Sequence, residues 1–175
     1  MKRTRGFTLI ELMLVMALIM ILSAVGIGSY IQATVKSKDS QRKSDINQMI
    51  KAIESFNNDV GRYPLSDTSN VIRCYIMANG VVTDPSAPCN GKIFVLTDGV
   101  NTTYMNIPSD PVTSQNYPYV SAGGTEFAFY AALENTNDKD ILRDAQNNII
   151  TYPEVSCGSV PCNYKVTEDG LTKSI

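Results

Sequence analysis

An apolar run near the N-terminus constrains this chain more than any other feature of its sequence. Residues 7–28 contain one charged side chain, Glu11, and residues 12–22 are apolar without interruption. About 20 consecutive apolar residues suffice for a helix to cross the hydrocarbon core of a bilayer. Three cations precede the run: Lys2, Arg3 and Arg5. Because cytoplasmic flanks carry an excess of Lys and Arg, the pattern predicts one membrane helix with its N-terminus inside and the remainder exported.

Composition excludes several classes of function. The chain has 175 residues, no histidine and a formal net charge of −2. Its length fits one domain with an appended segment. The lack of histidine excludes Ser/His/Asp and Cys/His catalytic arrangements and histidine-containing zinc sites. A slightly acidic chain is also a poor nucleic-acid binder, and removal of a leader with three of the 15 basic residues would make it more acidic.

Glu11 separates two interpretations of the apolar run. The first is an ordinary secretory signal peptide, with a basic start and a small-residue cleavage site near residues 24–26. An acid inside the membrane opposes it, because a central carboxylate costs roughly 2.5–3.5 kcal/mol on insertion scales. The second interpretation is a retained helix in which Glu11 has a partner.

Residues 6–12, GFTLIEL, resemble the cleavage and assembly signature of type IV pilins and type II secretion pseudopilins. The resemblance implies that a prepilin peptidase cuts between Gly6 and Phe7 and methylates the amino group of Phe7. It further implies that Glu11 pairs with the amino group of Phe7 on a neighbouring subunit in a helical filament. Gly26 and Gly28 are candidates for local melting of the helix on assembly, since glycine costs about 1 kcal/mol relative to alanine in a helix. The alternative is that these small residues allow close packing between helices.

The helix is expected to continue beyond the membrane. Residues 36–45, KSKDSQRKSD, contain no apolar side chain, so we expect solvent to reach them, but they also lack Pro and Gly. Apolar residues then recur at three- and four-residue spacing, which is typical of an amphipathic helix. They are Ile46, Met49, Ile50, Ile53, Phe56 and Val60. We predict one helix from about Phe7 to Asp59, ended by Gly61 and Pro64.

The remaining sequence predicts a small antiparallel β-sheet packed on the apolar stripe of the helix, and therefore an α+β fold. Six short runs favour strands: 71–77, 92–96, 117–120, 126–133, 149–152 and 163–166. Residues 58–64, 104–111, 117–119 and 129–134 are similar to pseudopilin-type helix exits and headpieces. The predicted segments are a leader (1–6), a transmembrane or filament-core helix (7–29), an amphipathic helix (30–60) and a disulfide-stabilised β-rich headpiece (61–175).

Four cysteines lie on the predicted exported side, where an even number favours two disulfides. Of the three possible connectivities we predict Cys74–Cys89 with Cys157–Cys162, because each bond closes a local loop that contains turn residues. A zinc site with four cysteine ligands is the alternative, although the spacing is not that of two CxxC pairs.

One loop could hold a metal ion. Its oxygen-rich side chains are Asn135, Asn137, Asp138 and Asp140, which are ligand types that calcium prefers. EF-hand spacing is absent, and a solvated turn is the simpler interpretation. We predict no cofactor.

The resemblance implies a structural subunit, not an enzyme, that polymerises into a type IV pilus. Its partners would be copies of itself, prepilin peptidase, an inner-membrane assembly platform with its ATPase, and membrane lipid before assembly. The precursor would be a single-pass protein of the cytoplasmic membrane, and the product an extracellular or periplasmic filament. A type II secretion pseudopilin and a minor, adhesive tip subunit are alternatives within the family. A secreted or membrane-anchored enzyme using carboxylates is the alternative from another class.

Overall fold

A computed structural model describes residues 6–171, without the side chains of residues 24–27. One long helix, α1, runs Leu9–Val60, close to the predicted bounds. Gly61 ends it in the left-handed conformation, with φ +80°, that glycine adopts without strain. Apart from Gly6, the predicted leader lies outside the described residues. Two compact units are distinguished, the first ending at Ser37 and the second beginning at Lys38.

Ten strands follow α1 within the described residues, all in the second unit. They are β1 (Arg73–Ala78), β2 (Val81–Pro88), β3 (Lys92–Thr97), β4 (Val100–Asn106), β5 (Tyr119–Val120), β6 (Ala128–Ala131), β7 (Tyr152–Ser156), β8 (Pro161–Cys162), β9 (Tyr164–Thr167) and β10 (Gly170–Leu171). The strands form two four-stranded sheets, in the orders β2-β1-β3-β4 and β10-β9-β6-β5, and a β7-β8 ribbon. The α+β class is confirmed, but the strands form two sheets and a ribbon instead of the one antiparallel sheet that was predicted, and β1 pairs with β3 in parallel.

Two tight hairpin turns shape the first sheet. Asn79-Gly80 joins β1 to β2 and Asp98-Gly99 joins β3 to β4, and all four residues have positive φ. This is the conformation of two-residue hairpin turns, which match the twist of the strands they connect. The two turns also contact each other, because the Asn79 amide donates to Asp98 Oδ1 at 2.9 Å.

The predicted apolar stripe of α1 forms one wall of the main core. Ile46, Met49, Ile53 and Phe56 are at most 1% exposed. They pack with buried residues of both four-stranded sheets, among them Tyr75, Ile93, Tyr119 and Phe129. The helix and the sheets therefore share one core in the second unit.

The expectation that solvent reaches residues 36–45 is wrong for three of them. Asp39, Arg42 and Asp45 are 2%, 0% and 8% exposed, respectively. A charged side chain is stable when buried only if it is paired and hydrogen-bonded, and each of these three has a partner beyond α1. The sequence pattern revealed the charges but not their partners.

Disulfides join Cys74 to Cys89 and Cys157 to Cys162. The second closes a short loop that lies directly on another segment of backbone. A Cβ atom on Gly158 would come within 2.1 Å of the carbonyl oxygen of Ser114, and the Ser159 amide donates to that oxygen at 3.0 Å. Only glycine fits where two backbones approach this closely.

Candidate functional site

Thr8, which directly precedes α1, contacts Glu11 in the first turn of that helix. Glu11 Oε2 accepts hydrogen bonds from the amide of Thr8 at 2.8 Å and from its hydroxyl at 2.7 Å. The Glu11 amide in turn donates to Thr8 Oγ1 at 3.3 Å. This reciprocal arrangement is a capping box, which satisfies amide donors that the start of a helix leaves free.

The capping box gives Glu11 a hydrogen-bonding partner in its own chain, Thr8, which the cost of burying an acid in a membrane did not predict. A sequence signal for it was present, because Thr8-Leu9-Ile10-Glu11 fits the S/T-x-x-E pattern. Only Oε2 is used: among the described residues, no hydrogen bond reaches Glu11 Oε1. One oxygen of the carboxylate is therefore free to bind a group outside this chain.

The N-terminal part of α1 carries uncovered apolar surface. Every residue from Gly6 to Ser23 is exposed, and Phe7 is 84% exposed. Within the described residues, α1 has one stretch long and apolar enough to cross a membrane, and none of that stretch is buried.

The two glycines named as melting candidates lie inside α1. At Gly28 a Cβ atom would meet nothing within 4 Å, so no contact in the described chain requires glycine there. The surroundings of Gly26 lie outside the described residues. Local melting at these positions stays a prediction.

A cluster of charged groups surrounds Arg42, which lies on the part of α1 that belongs to the second unit. Its guanidinium donates to Asp110 through Nε and Nη2, at 2.9 and 3.1 Å, in the two-pronged geometry that suits a carboxylate. Nη1 binds Asp39 Oδ1 at 2.8 Å, and Nη2 also binds Glu134 Oε1 at 2.8 Å. Arg42 thereby joins α1 to the segment before β5 and to the segment after β6.

Two neighbouring carboxylates of α1 complete the cluster. Asp39 accepts hydrogen bonds from the amides of Glu134 and Asn135, at 2.9 and 2.8 Å. Asp45 accepts one from the hydroxyl of Tyr117 at 2.9 Å. Burial raises the pKa of Tyr117, and the adjacent Asp45 carboxylate raises it further. Burial alone would lower the pKa of Arg42, but its three carboxylate partners raise it, so the guanidinium stays charged.

The oxygen-rich loop proposed as a calcium site is paired with a lysine. Lys43 Nζ lies 2.5 Å from Asp138 Oδ1 and 2.7 Å from Asp140 Oδ2. Burial would raise the pKa of Asp138, but the hydrogen bonds from Lys43 and from the Asp140 amide, together with the positive charge of Lys43, lower that pKa. An ammonium group thus occupies the space between the two carboxylates. Among the described residues, no cluster of three or more acidic, Cys or His side chains forms a metal site.

Comparison with known proteins adds independent information on the N-terminal segment. Residues 1–27 match the family model described as the prokaryotic N-terminal methylation motif. Seventy residues of the chain are 44% identical to the type IV major pilin protein PilA of Myxococcus xanthus. Over these segments the chain is therefore similar to a type IV pilin. A fimbrial protein of Pseudomonas aeruginosa is 42% identical over 55 residues.

The similarity to pilins covers part of each chain. The match to PilA spans 40% of this chain and 31% of PilA, and the match to the fimbrial protein spans 31% and 36%. The chain thus covers about a third of the length of these relatives. No solved structure matches it significantly. The pilin relatives point to a structural protein, and the N-terminal motif together with the apolar helix points to a membrane-anchored precursor.

Proposed function

We propose that the chain is the precursor of a type IV pilus subunit, which polymerises into a filament through its N-terminal helix. The single observation that carries the proposal is the methylation motif at residues 1–27, directly before and within an apolar helix that nothing in the described chain covers. Assembly would bury that apolar surface against copies of the same helix. Residues 7–29 would form the filament core, and residues 61–175 would form the outer headpiece.

Processing is proposed to occur between Gly6 and Phe7, with the N-terminus on the cytoplasmic side. We expect the mature protein to begin at Phe7 and to carry one methyl group on its amino terminus. Mass spectrometry of the N-terminal peptide, after expression with a prepilin peptidase, measures both changes. Expression without the peptidase provides the control and should leave Met1 or Lys2 at the N-terminus. A mature chain that starts after Gly26 would instead indicate an ordinary signal peptide and contradict the proposal.

The role proposed for Glu11 is to bind the new amino group of Phe7 on a neighbouring subunit through the free Oε1. Such a pair is strong inside a filament, since water is excluded and the effective dielectric constant is low. Leaving one charge of a buried pair without its partner is strongly unfavourable, by about 3–5 kcal/mol. The N-terminal capping box uses only Oε2, so it does not compete with this contact.

Three variants separate the charge of Glu11 from its capping function. Glu11→Gln keeps a side chain that can complete a capping box but removes the charge, and Glu11→Ala removes both. We expect both variants to be cleaved normally and to yield few or no filaments. Thr8→Val, which loses the capping hydroxyl but keeps the charge, should still assemble.

Filaments are counted by electron microscopy and quantified after shearing. If Glu11→Gln assembles like the unmodified protein, the carboxylate serves only to cap the helix and the proposed pairing is wrong. Because cleavage is measured separately, a defect in processing is distinguishable from a defect in assembly.

A further inference from the structure

Strand β4 differs from the other edge strands of the two four-stranded sheets. The opposite edge of its sheet, β2, contains Asp84, Pro85 and Pro88 and has irregular register with β1. The edge strands β5 and β10 have two residues each. β4 has seven residues, VNTTYMN, with no charge and no proline. Natural sheets usually protect their edges by charges, prolines, bulges or short length, and β4 has one such feature, an extra residue at Tyr104 in its pairing with β3.

The register of the β3-β4 hairpin identifies the unpaired backbone groups. Thr97 and Val100 flank the two-residue turn, so they form a hydrogen-bonded pair. Bonding alternates along an antiparallel ladder, which directs the N–H and C=O groups of Val100 and Thr102 toward β3. The groups of Asn101 and Thr103 point away from β3. Within the described residues they have no backbone partner.

Access to this edge is open. The side chains from Val100 to Thr103 are all exposed, so neither face of this part of β4 is covered by the described chain. An added strand could therefore approach without displacing any part of the headpiece.

We propose that β4 pairs antiparallel with β4 of a second copy of this chain, about a two-fold axis at Thr102. Asn101 of one copy then lies opposite Thr103 of the other, and each of these two pairs exchanges two N–H···O=C hydrogen bonds. These bonds satisfy the outward N–H and C=O groups of Asn101 and Thr103 on both strands. The interface is isologous, which is the common arrangement for a homodimer.

The sequence of β4 favours a second copy as the occupant. Two-fold pairing places each residue opposite another residue of the same strand, so like charges would repel across the interface. β4 carries no charge between Val100 and Asn106, and its centre brings the two Thr102 side chains together, a favourable cross-strand pair. At the β2 edge, Asp84 would bring carboxylates of two copies close to one another. The proposal concerns the headpiece and is independent of filament formation.

Disulfide trapping of the full chain in detergent micelles tests the predicted register. The two Thr102 residues form a non-hydrogen-bonded pair with Cβ atoms about 4.5–5.5 Å apart, close to the spacing that a disulfide requires. Thr102→Cys should therefore form a covalent dimer under mild oxidation. Val100→Cys is the matched control: it adds the same free thiol on the same strand, but the two sulfurs would be separated by about four residues, or about 13 Å. We expect dimer formation about tenfold faster for Thr102→Cys, because pairing raises the effective concentration of its thiols.

A variant that blocks the β4 edge tests whether pairing of that edge causes the disulfide trapping. Asn101→Lys with Thr103→Lys places ammonium groups opposite each other across the interface and leaves the hydrogen bonds to β3 intact. In this background, Thr102→Cys should dimerise no faster than Val100→Cys, while circular dichroism shows an unchanged fold. Peptide mapping verifies that the linkage joins residue 102 to residue 102.

Three results would overturn the proposal. Equal trapping at residues 100 and 102 would mean that the thiols meet at random. A ladder of large aggregates without a discrete dimer would mean open-ended association of strand edges. Trapping that persists in the lysine background would place the contact elsewhere on the chain.

Discussion

Arg42→Met should lower the free energy of unfolding of the unit that begins at Lys38 by about 3–5 kcal/mol, the usual effect of removing one partner from a buried ion pair. The guanidinium is fully buried and is the hydrogen-bonding partner of Asp39, Asp110 and Glu134. Without it, the buried carboxylates of Asp39 and Asp110 lose their cation. Denaturant unfolding of the full chain, followed by near-UV circular dichroism of its tyrosines, measures the change.

Lys51→Met is the matched control, because Lys51 lies on the same helix and is exposed. We expect its effect to stay within about 0.5 kcal/mol, as for most surface substitutions. Arg42→Lys should give an intermediate loss, since an ammonium cannot reproduce the two-pronged contact with Asp110. In a double-mutant cycle, Arg42→Met with Asp110→Asn should cost less than the sum of the single variants. A loss for Arg42→Met no larger than for Lys51→Met would show that the cluster contributes little to stability.

Removing the Cys74–Cys89 disulfide is expected to have the second largest effect. The two residues are 15 positions apart, and the chain-entropy relation for a loop of this length gives about 3 kcal/mol. The bond links β1 to the end of β2, and both cysteines belong to the main core. The double variant Cys74→Ala with Cys89→Ala should lower the free energy of unfolding by that amount, measured as above.

Removing the Cys157–Cys162 disulfide should lower the free energy of unfolding by less than removing Cys74–Cys89. Cys157 and Cys162 are five positions apart, for which the same relation gives about 2 kcal/mol. The variant with both of these cysteines changed to alanine should therefore be the more stable of the two double variants. If this order is reversed, loop entropy does not set the contribution of these bonds, and the close packing of Gly158 on Ser114 becomes the better explanation.

Local patterns in the sequence were sufficient for α1 and for part of the sheets. Three- and four-residue periodicity placed Ile46, Ile53 and Phe56 on one buried face, and Gly61 marked the end of the helix. The strands β2 and β4 were not predicted, because edge strands with polar or exposed side chains lack a clear apolar alternation. The Asn79-Gly80 turn between β1 and β2 was the available signal for a hairpin there.

Long-range charge pairing was beyond the reach of local patterns. The segment 36–45 looks like a solvated face, but Arg42 is buried within it because it binds carboxylates that lie 68 and 92 residues further along the chain. No periodicity connects such distant positions. The same applies to Lys43, whose partners Asp138 and Asp140 were considered only as metal ligands.

The position of the capping box has a consequence for proteolysis. Thr8 and Glu11 cap the start of α1 with their own side chains, so this cap lies entirely on the C-terminal side of the proposed cleavage site. Gly6 and Phe7 precede the helix and are not part of any regular element. Proteases cleave non-helical, exposed backbone most readily. The proposed scissile bond thus lies in exposed, irregular chain that a peptidase can bind, and cutting it leaves the capping box of Thr8 and Glu11 in place.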